Sequence, residues 1–215
     1  MKIIFSIIIF LFLSLYNSVI NKEFIDNFLT NQAPYHDSHG AEKNYLGAGL
    51  IYYAIVYANK SKICVCIGSG GGFVPRIMRQ AQRDLNLKDS RTILIDGNTG
   101  PYGRPLWLNK NSFFKQNFSD IEIIISLSHE ASIKLGAKNL KIDYLHIDGD
   151  HSEKGCLQDF YDYLPMMNNN SLITIHDTGT NLGPMKVVEK IKQNKFEIIN
   201  LPWLGAGFAL VKIKK

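Results

Sequence analysis

The sequence predicts an α/β fold: a mostly parallel sheet with helices on both faces and a final antiparallel hairpin. Short, almost continuously apolar runs alternate with segments of helical spacing, and strands of that kind are buried on both faces. The chain has 215 residues, of which 46% are hydrophobic and 20% charged. This composition supports a packed core and excludes wholesale disorder.

The chain begins with an uncharged apolar segment. Residues 3–20 read IIFSIIIFLFLSLYNSVI, which is near the lower length limit of a membrane-spanning helix. Three interpretations stay open: an uncleaved anchor or membrane-lying helix, a cleaved secretory signal with a poor cleavage site, or a helix buried in an oligomer. We therefore divide the chain into a signal or anchor segment over 1–20, a linker and candidate lid over 21–40, and a domain over 41–215.

The elements of the domain follow from their periodicity. Apolar runs predict strands at residues 63–69, 92–96, 121–127, 142–148 and 171–177. Helical spacing predicts helices over 41–59 (from Leu46, Leu50, Tyr53, Ala54 and Val56), 75–85, the stretch with Leu157, Phe160, Tyr161 and Leu164, and 183–195. Two last strands, FEIINLP and GFALVKIK, are expected to form the hairpin.

A glycine-rich turn follows the first strand. The run ICVCIGSGGGF places Gly68, Ser69, Gly70 and Gly72 between a strand and a helix. Glycines there let the backbone approach a ligand, and the amides at the helix start can bind a polar or anionic group. The spacing is G-x-G-x-G, and Phe73 stands where a dinucleotide fingerprint has its third glycine. A tight turn without a ligand is the alternative.

The second strand ends in a carboxylate. Asp96 closes TILID, 28 residues after Gly68. A carboxylate at this position can accept hydrogen bonds from both hydroxyls of a ribose, although a turn or cap role is also common for such a residue. Together with the glycine turn, it favours an adenosine-type ligand.

Ionisable residues end the fourth and fifth predicted strands. The fourth ends in Asp148, Gly149, Asp150 and His151, and the fifth ends in the pair His176 and Asp177. Neighbouring parallel strands would bring Asp148 and that pair to one edge, where they could hold a divalent cation or supply a base. Asp150 or Ser152 is also a candidate cap of the following helix.

With these four pieces in order, residues 41–215 resemble class I S-adenosylmethionine-dependent methyltransferases. Within them the chain is similar to the small-molecule and sugar O-methyltransferases whose fourth strand reads HIDGDHS and whose fifth reads HDT, here residues 146–152 and 176–178. The resemblance implies a Rossmann-like, seven-stranded sheet with an antiparallel last strand. It also implies methyl transfer from S-adenosylmethionine to a small-molecule acceptor.

The resemblance assigns roles residue by residue. The methionine part of the cofactor would lie along Gly68, Ser69, Gly70 and Gly72, the ribose at Asp96, and the adenine near Gly97 and Asn98. Asp148 would border the cofactor and, with His176 and Asp177, hold magnesium or manganese. Asp150 takes the position of the general base, and His151 is our second candidate for that role.

Two positions depart from the pattern. Cys66 stands where many relatives carry an acidic residue, which weakens the expected contact to the methionine amino group. His176 replaces an oxygen ligand, and because magnesium prefers oxygen, a metal-free enzyme or one that uses manganese or iron is an alternative.

Other classes compete with this interpretation. A nicotinamide-dependent oxidoreductase on the same kind of sheet and a membrane-tethered module without catalysis are the two rivals. The net charge of +5 comes without an arginine-rich stripe, so no nucleic-acid partner is expected. Membrane contact through residues 3–20, with the domain facing the cytosol, is expected over secretion, and an oligomer stays open. The three cysteines, including Cys64 and Cys66 on one strand face, are expected to be buried thiols.

Overall fold

The computed structural model describes residues 20–68, 70–97, 109–192 and 196–214. Within them lies one seven-stranded sheet in the order β3-β2-β1-β4-β5-β7-β6. Neighbouring strands are parallel from β3 to β5, whereas β7 is antiparallel to both β5 and β6. The predicted fold class and the closing hairpin are therefore confirmed. The strands are β1 Ile63–Ile67, β2 Arg91–Asp96, β3 Glu122–Ile125, β4 Ile142–Ile147, β5 Met167–His176, β6 Phe196–Leu201 and β7 Phe208–Ile213.

Helices pack on both faces of this sheet. Cys64, Cys66 and Leu94 share one apolar core with the N-terminal elements and the helices α2 and α3, and Val65 and Ile93 share the other core with α5 to α7. This division follows the alternation of side chains along β1 and β2. All three cysteines are buried and free, as expected. The helices are α1 Lys22–Phe24, α2 Gly49–Asn59, α3 Phe73–Asp84, α4 Phe113–Asn117, α5 Ser128–Ala137, α6 Glu153–Tyr163 and α7 Leu182–Lys192.

The helix predicted over 41–59 is wrong in its first half and in its buried face. It begins only at Gly49, because Gly47 adopts φ +55 and the amide of Ala48 donates to the carbonyl of His39 at 2.8 Å. The side chains that enter the core are those of Tyr52, Ile55 and Val56, while Leu50 and Ala54 are exposed. Helix α5 had no counterpart in the prediction. The other predicted ends shift by a few residues.

Residues 21–40 pack against the domain. Helix α1 continues as a π-helical stretch over Ile25–Thr30, and its apolar side chains enter the core that contains α2 and α3. Arg76 on α3 is 1% exposed, and its guanidinium donates to the carbonyls of Asn31 at 2.5 Å and Gln32 at 3.3 Å. Because these carbonyls follow the end of the π-helical stretch, Arg76 caps it and holds the segment in place. Whether the segment also opens as a lid stays a prediction.

The apolar N-terminal segment lies almost wholly outside the described residues, which begin at Ile20. Among the helices of the described ranges, none is both long and apolar enough to span a bilayer.

Candidate active site

The glycine turn sits where β1 and β2 end side by side. The amide of Gly68 donates to the carbonyl of Ile95 at 2.8 Å, and Gly68 has φ +74. A Cβ on Gly68 would lie 1.9 Å from the carbonyl oxygen of Asp148. Gly70 and Gly72 also have positive φ, so the turn requires residues without a side chain at these positions. Ser69 lies outside the described residues.

Asp96 lies directly beside this turn. It is the last residue of β2 and is 8% exposed, and the register pairs the preceding Ile95 with Ile67 of β1. Adjacent strands are about 4.8 Å apart, so the turn and the carboxylate lie side by side at this edge of the sheet. Gly97 continues this edge, and Asn98 lies outside the described residues.

The thiol of Cys66 forms a hydrogen bond within the glycine turn. Cys66 is fully buried, and its Sγ donates to the carbonyl of Gly68 at 3.0 Å. Burial, followed by the nearby charge of Asp148, raises the pKa of this thiol, so it is neutral. A neutral donor that is already bonded to the turn cannot replace the carboxylate of the resembled family.

The second half of the edge gathers ionisable side chains around Asp148. Its Oδ1 lies 3.2 Å from Nδ1 of His176 and 3.3 Å from Nε2 of His151. His151 Nε2 also lies 3.0 Å from Oδ2 of Asp177, whose φ of +62 is unusual for a residue with a side chain. The sequence-predicted residues Asp148, His151, His176 and Asp177 are thus brought together. With His39 and His146, described below, we call them the Asp148 cluster.

Charges in this cluster are strongly coupled. Burial alone would raise the pKa of Asp148, but the neighbouring histidines, His176 foremost, hold it well below its ordinary value. Burial alone would lower the pKa of His176, yet Asp148 outweighs it and raises that pKa to about 10. A hydrogen bond to Asp148 also raises the pKa of His151. When no cation other than a proton balances the charge of Asp148, His176 is protonated and forms an ion pair with it.

Asp150 is oriented differently. Its Oδ1 accepts from the amide of Ser152 at 2.8 Å, and its carboxylate lies against Gly155 in the first turn of α6. Ser152 completes the cap by accepting from the Gly155 amide at 3.0 Å. Of the two candidate bases, only His151 has a described contact with Asp148 or Asp177.

Two further histidines belong to this cluster and were not predicted as site residues from the sequence. His39, from the segment before α2, places Nε2 4.0 Å from Oδ2 of Asp148, and its ring packs on that of His176 with centroids 4.0 Å apart. His146 on β4 places Nε2 3.9 Å from the same oxygen. Burial lowers the pKa of both. His146 stood within the quoted motif HIDGDHS, but nothing in the pattern linked His39 to the edge of the sheet.

The donor atoms of the Asp148 cluster determine which metal ion it could hold. Among the described residues, two groups have ligand atoms close enough to share a cation: one comprises His39, Asp148 and His176, and the other comprises Asp148, His151 and Asp177. The predicted set of Asp148, His176 and Asp177 is therefore divided between two groups that share Asp148. Histidine nitrogens in both groups fit a transition metal better than magnesium.

Comparison with known proteins gives the family. A family model described as a methyltransferase domain matches residues 65–178, which is more than half of the chain and runs from the glycine turn to the Asp148 cluster. No curated protein sequence matches the chain significantly.

Solved structures share the fold at low identity. An O-methyltransferase from Bacillus cereus, solved with S-adenosylhomocysteine, has a TM-score of 0.67 at 14% identity and covers 90% of this chain and 96% of its own. TomG from Streptomyces achromogenes, an O-methyltransferase of tomaymycin synthesis solved with S-adenosylmethionine, gives 0.66 at 13%, covering 95% of each chain. A Podospora anserina methyltransferase with S-adenosylhomocysteine gives 0.65 at 14%, covering 94% of each. The family model matches more than half of the chain and spans both halves of the site, so this chain belongs to the methyltransferase domain family.

Proposed function

We propose that this chain transfers the methyl group of S-adenosylmethionine to an oxygen of a small molecule, with sugar hydroxyls, phenols and lipid head groups as the open acceptor classes. The observation that carries the proposal is the contiguity of the glycine turn and Asp96 at the ends of β1 and β2. The turn carries no side chain at its glycines, although Tyr35 and Pro34 pack against Gly70 and Gly71, and the carboxylate offers acceptors to the ribose hydroxyls. The solved neighbours that hold S-adenosylmethionine or S-adenosylhomocysteine, two of them O-methyltransferases, support the cofactor and the oxygen acceptor.

The fit of the cofactor rests on the turn itself. A Cβ at Gly68 would collide with Asp148, so the turn lies in direct contact with the ionisable half of the edge. A ligand bound along the turn would therefore point one end at Asp96 and the other toward Asp148 and His151. Bound S-adenosylmethionine supplies an activated methyl group, so the protein has mainly to align the acceptor oxygen and remove its proton.

We assign the proton transfer to His151, with Asp150 as the alternative. The His151 side chain is about two-fifths exposed and contacts both Asp148 and Asp177. It can therefore meet an acceptor from solvent while the two carboxylates orient its ring. Cofactor contacts of Ser69, Gly97 and Asn98 and a metal held by Asp148, His176 and Asp177 remain predictions within this proposal.

The function is tested by isothermal titration calorimetry of the full chain with S-adenosylmethionine and, separately, with NADH. We expect binding of S-adenosylmethionine only. Asp96→Ala should weaken it by about tenfold to a hundredfold, because hydrogen bonds to a charged group contribute about 1.5–3 kcal/mol.

Glu122→Gln is the matched control. This exposed carboxylate pairs with Arg91 at the opposite end of β2, so cofactor binding should not change. Binding of NADH without S-adenosylmethionine would replace the proposal with the oxidoreductase, and equal effects of the two substitutions would remove Asp96 from the site.

A further inference from the structure

We propose that His39, Asp148 and His176 form a buried binding site for a divalent transition metal ion, which fastens the segment before α2 to the sheet. The site is separate from the group of Asp148, His151 and Asp177 that faces the acceptor, although Asp148 belongs to both. It does not depend on methyl transfer, and no pattern in the sequence pointed to His39.

One ring nitrogen each of His39 and His176 faces the carboxylate of Asp148. His39 Nε2 lies 4.0 Å from Asp148 Oδ2, and His176 Nδ1 lies 3.2 Å from Asp148 Oδ1. The ligand atoms of all three residues lie within 4.8 Å of one another. Both histidines are less than 5% exposed, whereas the Asp148 side chain is 15% exposed. Two nitrogens and one oxygen at these separations suit a first-row transition metal that keeps a position for water.

In His39 and His176, the ring nitrogen that faces away from Asp148 already has an oxygen partner, as in metal-binding histidines. His176 Nε2 lies 3.3 Å from the carbonyl of Ser38, and because a carbonyl can only accept, this nitrogen carries a proton. Nδ1, whose own proton a bound metal would displace, faces Asp148. His39 Nδ1 lies 3.2 Å from the hydroxyl of Tyr52. Metal-binding histidines almost always have an oxygen partner at the second ring nitrogen, which fixes the ring.

A third histidine supplies an independent observation. His146 is fully buried, and its Nδ1 is bonded to the hydroxyl of Thr174 at 2.8 Å. Its Nε2 has no hydrogen-bond partner within the described residues, although it points at Asp148 Oδ2 from 3.9 Å. That distance is too long for a hydrogen bond. A buried polar atom without a partner is costly, and this one faces the carboxylate of the proposed site, although His146 itself belongs to neither ligand group.

The position of His39 is fixed by close backbone packing. The amide of Ala206 donates to the Ser38 carbonyl at 2.6 Å, and a Cβ on Gly205 would lie 2.5 Å from the Gly40 nitrogen. The loop between β6 and β7 thus holds the residues on both sides of His39. A metal would add a bond between this segment and the ends of β4 and β5, and binding to the folded state alone would raise stability.

The test uses the full chain after removal of metals with a chelator. We expect zinc and cobalt(II) to bind near one ion per chain by elemental analysis and calorimetry, with a visible cobalt d–d spectrum. His39→Gln should weaken binding at least about tenfold. His36→Gln, in the same short 3₁₀ turn but outside both groups, is the matched control and should bind as the parent does.

His39→Cys tells ligation from packing. A thiolate ligand should restore binding and add a sulfur-to-cobalt charge-transfer band, which a merely structural residue would not produce. If the parent bound neither zinc nor cobalt, the proposal would be overturned. Equal binding by the parent and by His39→Gln would also overturn it, and would place the ion at His151 and Asp177. S-adenosylmethionine binding is measured on the same metal-free and metal-loaded samples, so failure of this site is distinguishable from failure of the proposed function.

Discussion

The two halves of the edge are built in opposite ways. At the ends of β1 and β2 the site is mostly backbone: a glycine turn and one carboxylate, drawn from residues 68–72 and 96. At the ends of β4 and β5 it is made of side chains, in which His39 meets Asp148 and His176 from more than a hundred residues away. A backbone site tolerates no added atom, whereas a side-chain site depends on the charge and protonation of its members.

The largest expected effect separates the two candidate bases on the side-chain half. His151→Gln keeps a polar side chain of similar size but cannot take a proton, so methyl transfer should fall by about a hundredfold to ten-thousandfold. Affinity for S-adenosylmethionine should not change, because the glycine turn and Asp96 are intact. The measurement is the rate of S-adenosylhomocysteine formation with an acceptor that the parent enzyme methylates.

Asp150→Asn is the paired variant. The amide oxygen of Asn can accept from the Ser152 amide as Asp150 does, and the N-cap Ser152 is untouched, so α6 should be preserved and the rate should change little. A large loss in Asp150→Asn with little loss in His151→Gln would transfer the role of base to Asp150.

The next effect tests the backbone half. Gly68→Ala combines φ +74 with a Cβ placed 1.9 Å from the Asp148 carbonyl oxygen, so the turn has to move. We expect a loss of about 2–4 kcal/mol in the free energy of unfolding, measured by denaturant titration, together with loss of cofactor binding.

Gly136→Ala is the matched control. Gly136 lies near the end of helix α5, and an added Cβ would meet only the Met166 sulfur, at 3.9 Å. Stability should stay level or rise by up to about 1 kcal/mol, because alanine favours the helix. If the two substitutions had equal effects, the turn would not require glycine.

The same division explains which parts of the molecule the sequence could predict. Continuous apolar runs identified the five parallel strands, of which β1, β2 and β4 are largely buried whereas the edge strand β3 is only partly covered. The glycine motif could be recognised because its residues are consecutive. The start of α2 was missed because Gly47 and a hydrogen bond to His39 delay the helix. Helix α5 carries only Ala131, Ser132 and Leu135 inward, which is too weak a pattern to predict it.

The side-chain half could be predicted only in part. Topology brought Asp148 and the pair His176 and Asp177 together, because β4 and β5 are neighbours. His39 depends on the packing of an irregular segment against the loop between β6 and β7, and no local pattern encodes that contact. The orientation of Asp150 toward the Ser152 amide likewise needed coordinates, and of the two candidate caps of α6 it is Ser152 that takes the role.

The smallest effect contrasts two buried aspartates near the side-chain half. The histidines hold the pKa of Asp148 down. Asp159, under Gly149, has among the described residues only the Ser128 hydroxyl as a hydrogen-bond donor, and burial raises its pKa to about 6. Its Oδ2 is buried without a partner in the described part of the chain. From the ordinary value of 3.8 up to about 6, the folded state keeps a proton that the unfolded chain has released. Stability therefore falls as the pH rises through this window and stays lower above it.

Asp159→Asn isolates this contribution. The amide keeps an acceptor for Ser128 but never ionises, so its stability relative to the parent should rise by about 1–3 kcal/mol between pH 4 and pH 7. The free energy of unfolding is measured for both proteins across this range, and the difference between the two curves removes every other titrating group. Parallel curves would mean that Asp159 ionises as easily in the folded chain as in water. In that case burial would not set the charge of the carboxylate beneath this edge of the sheet.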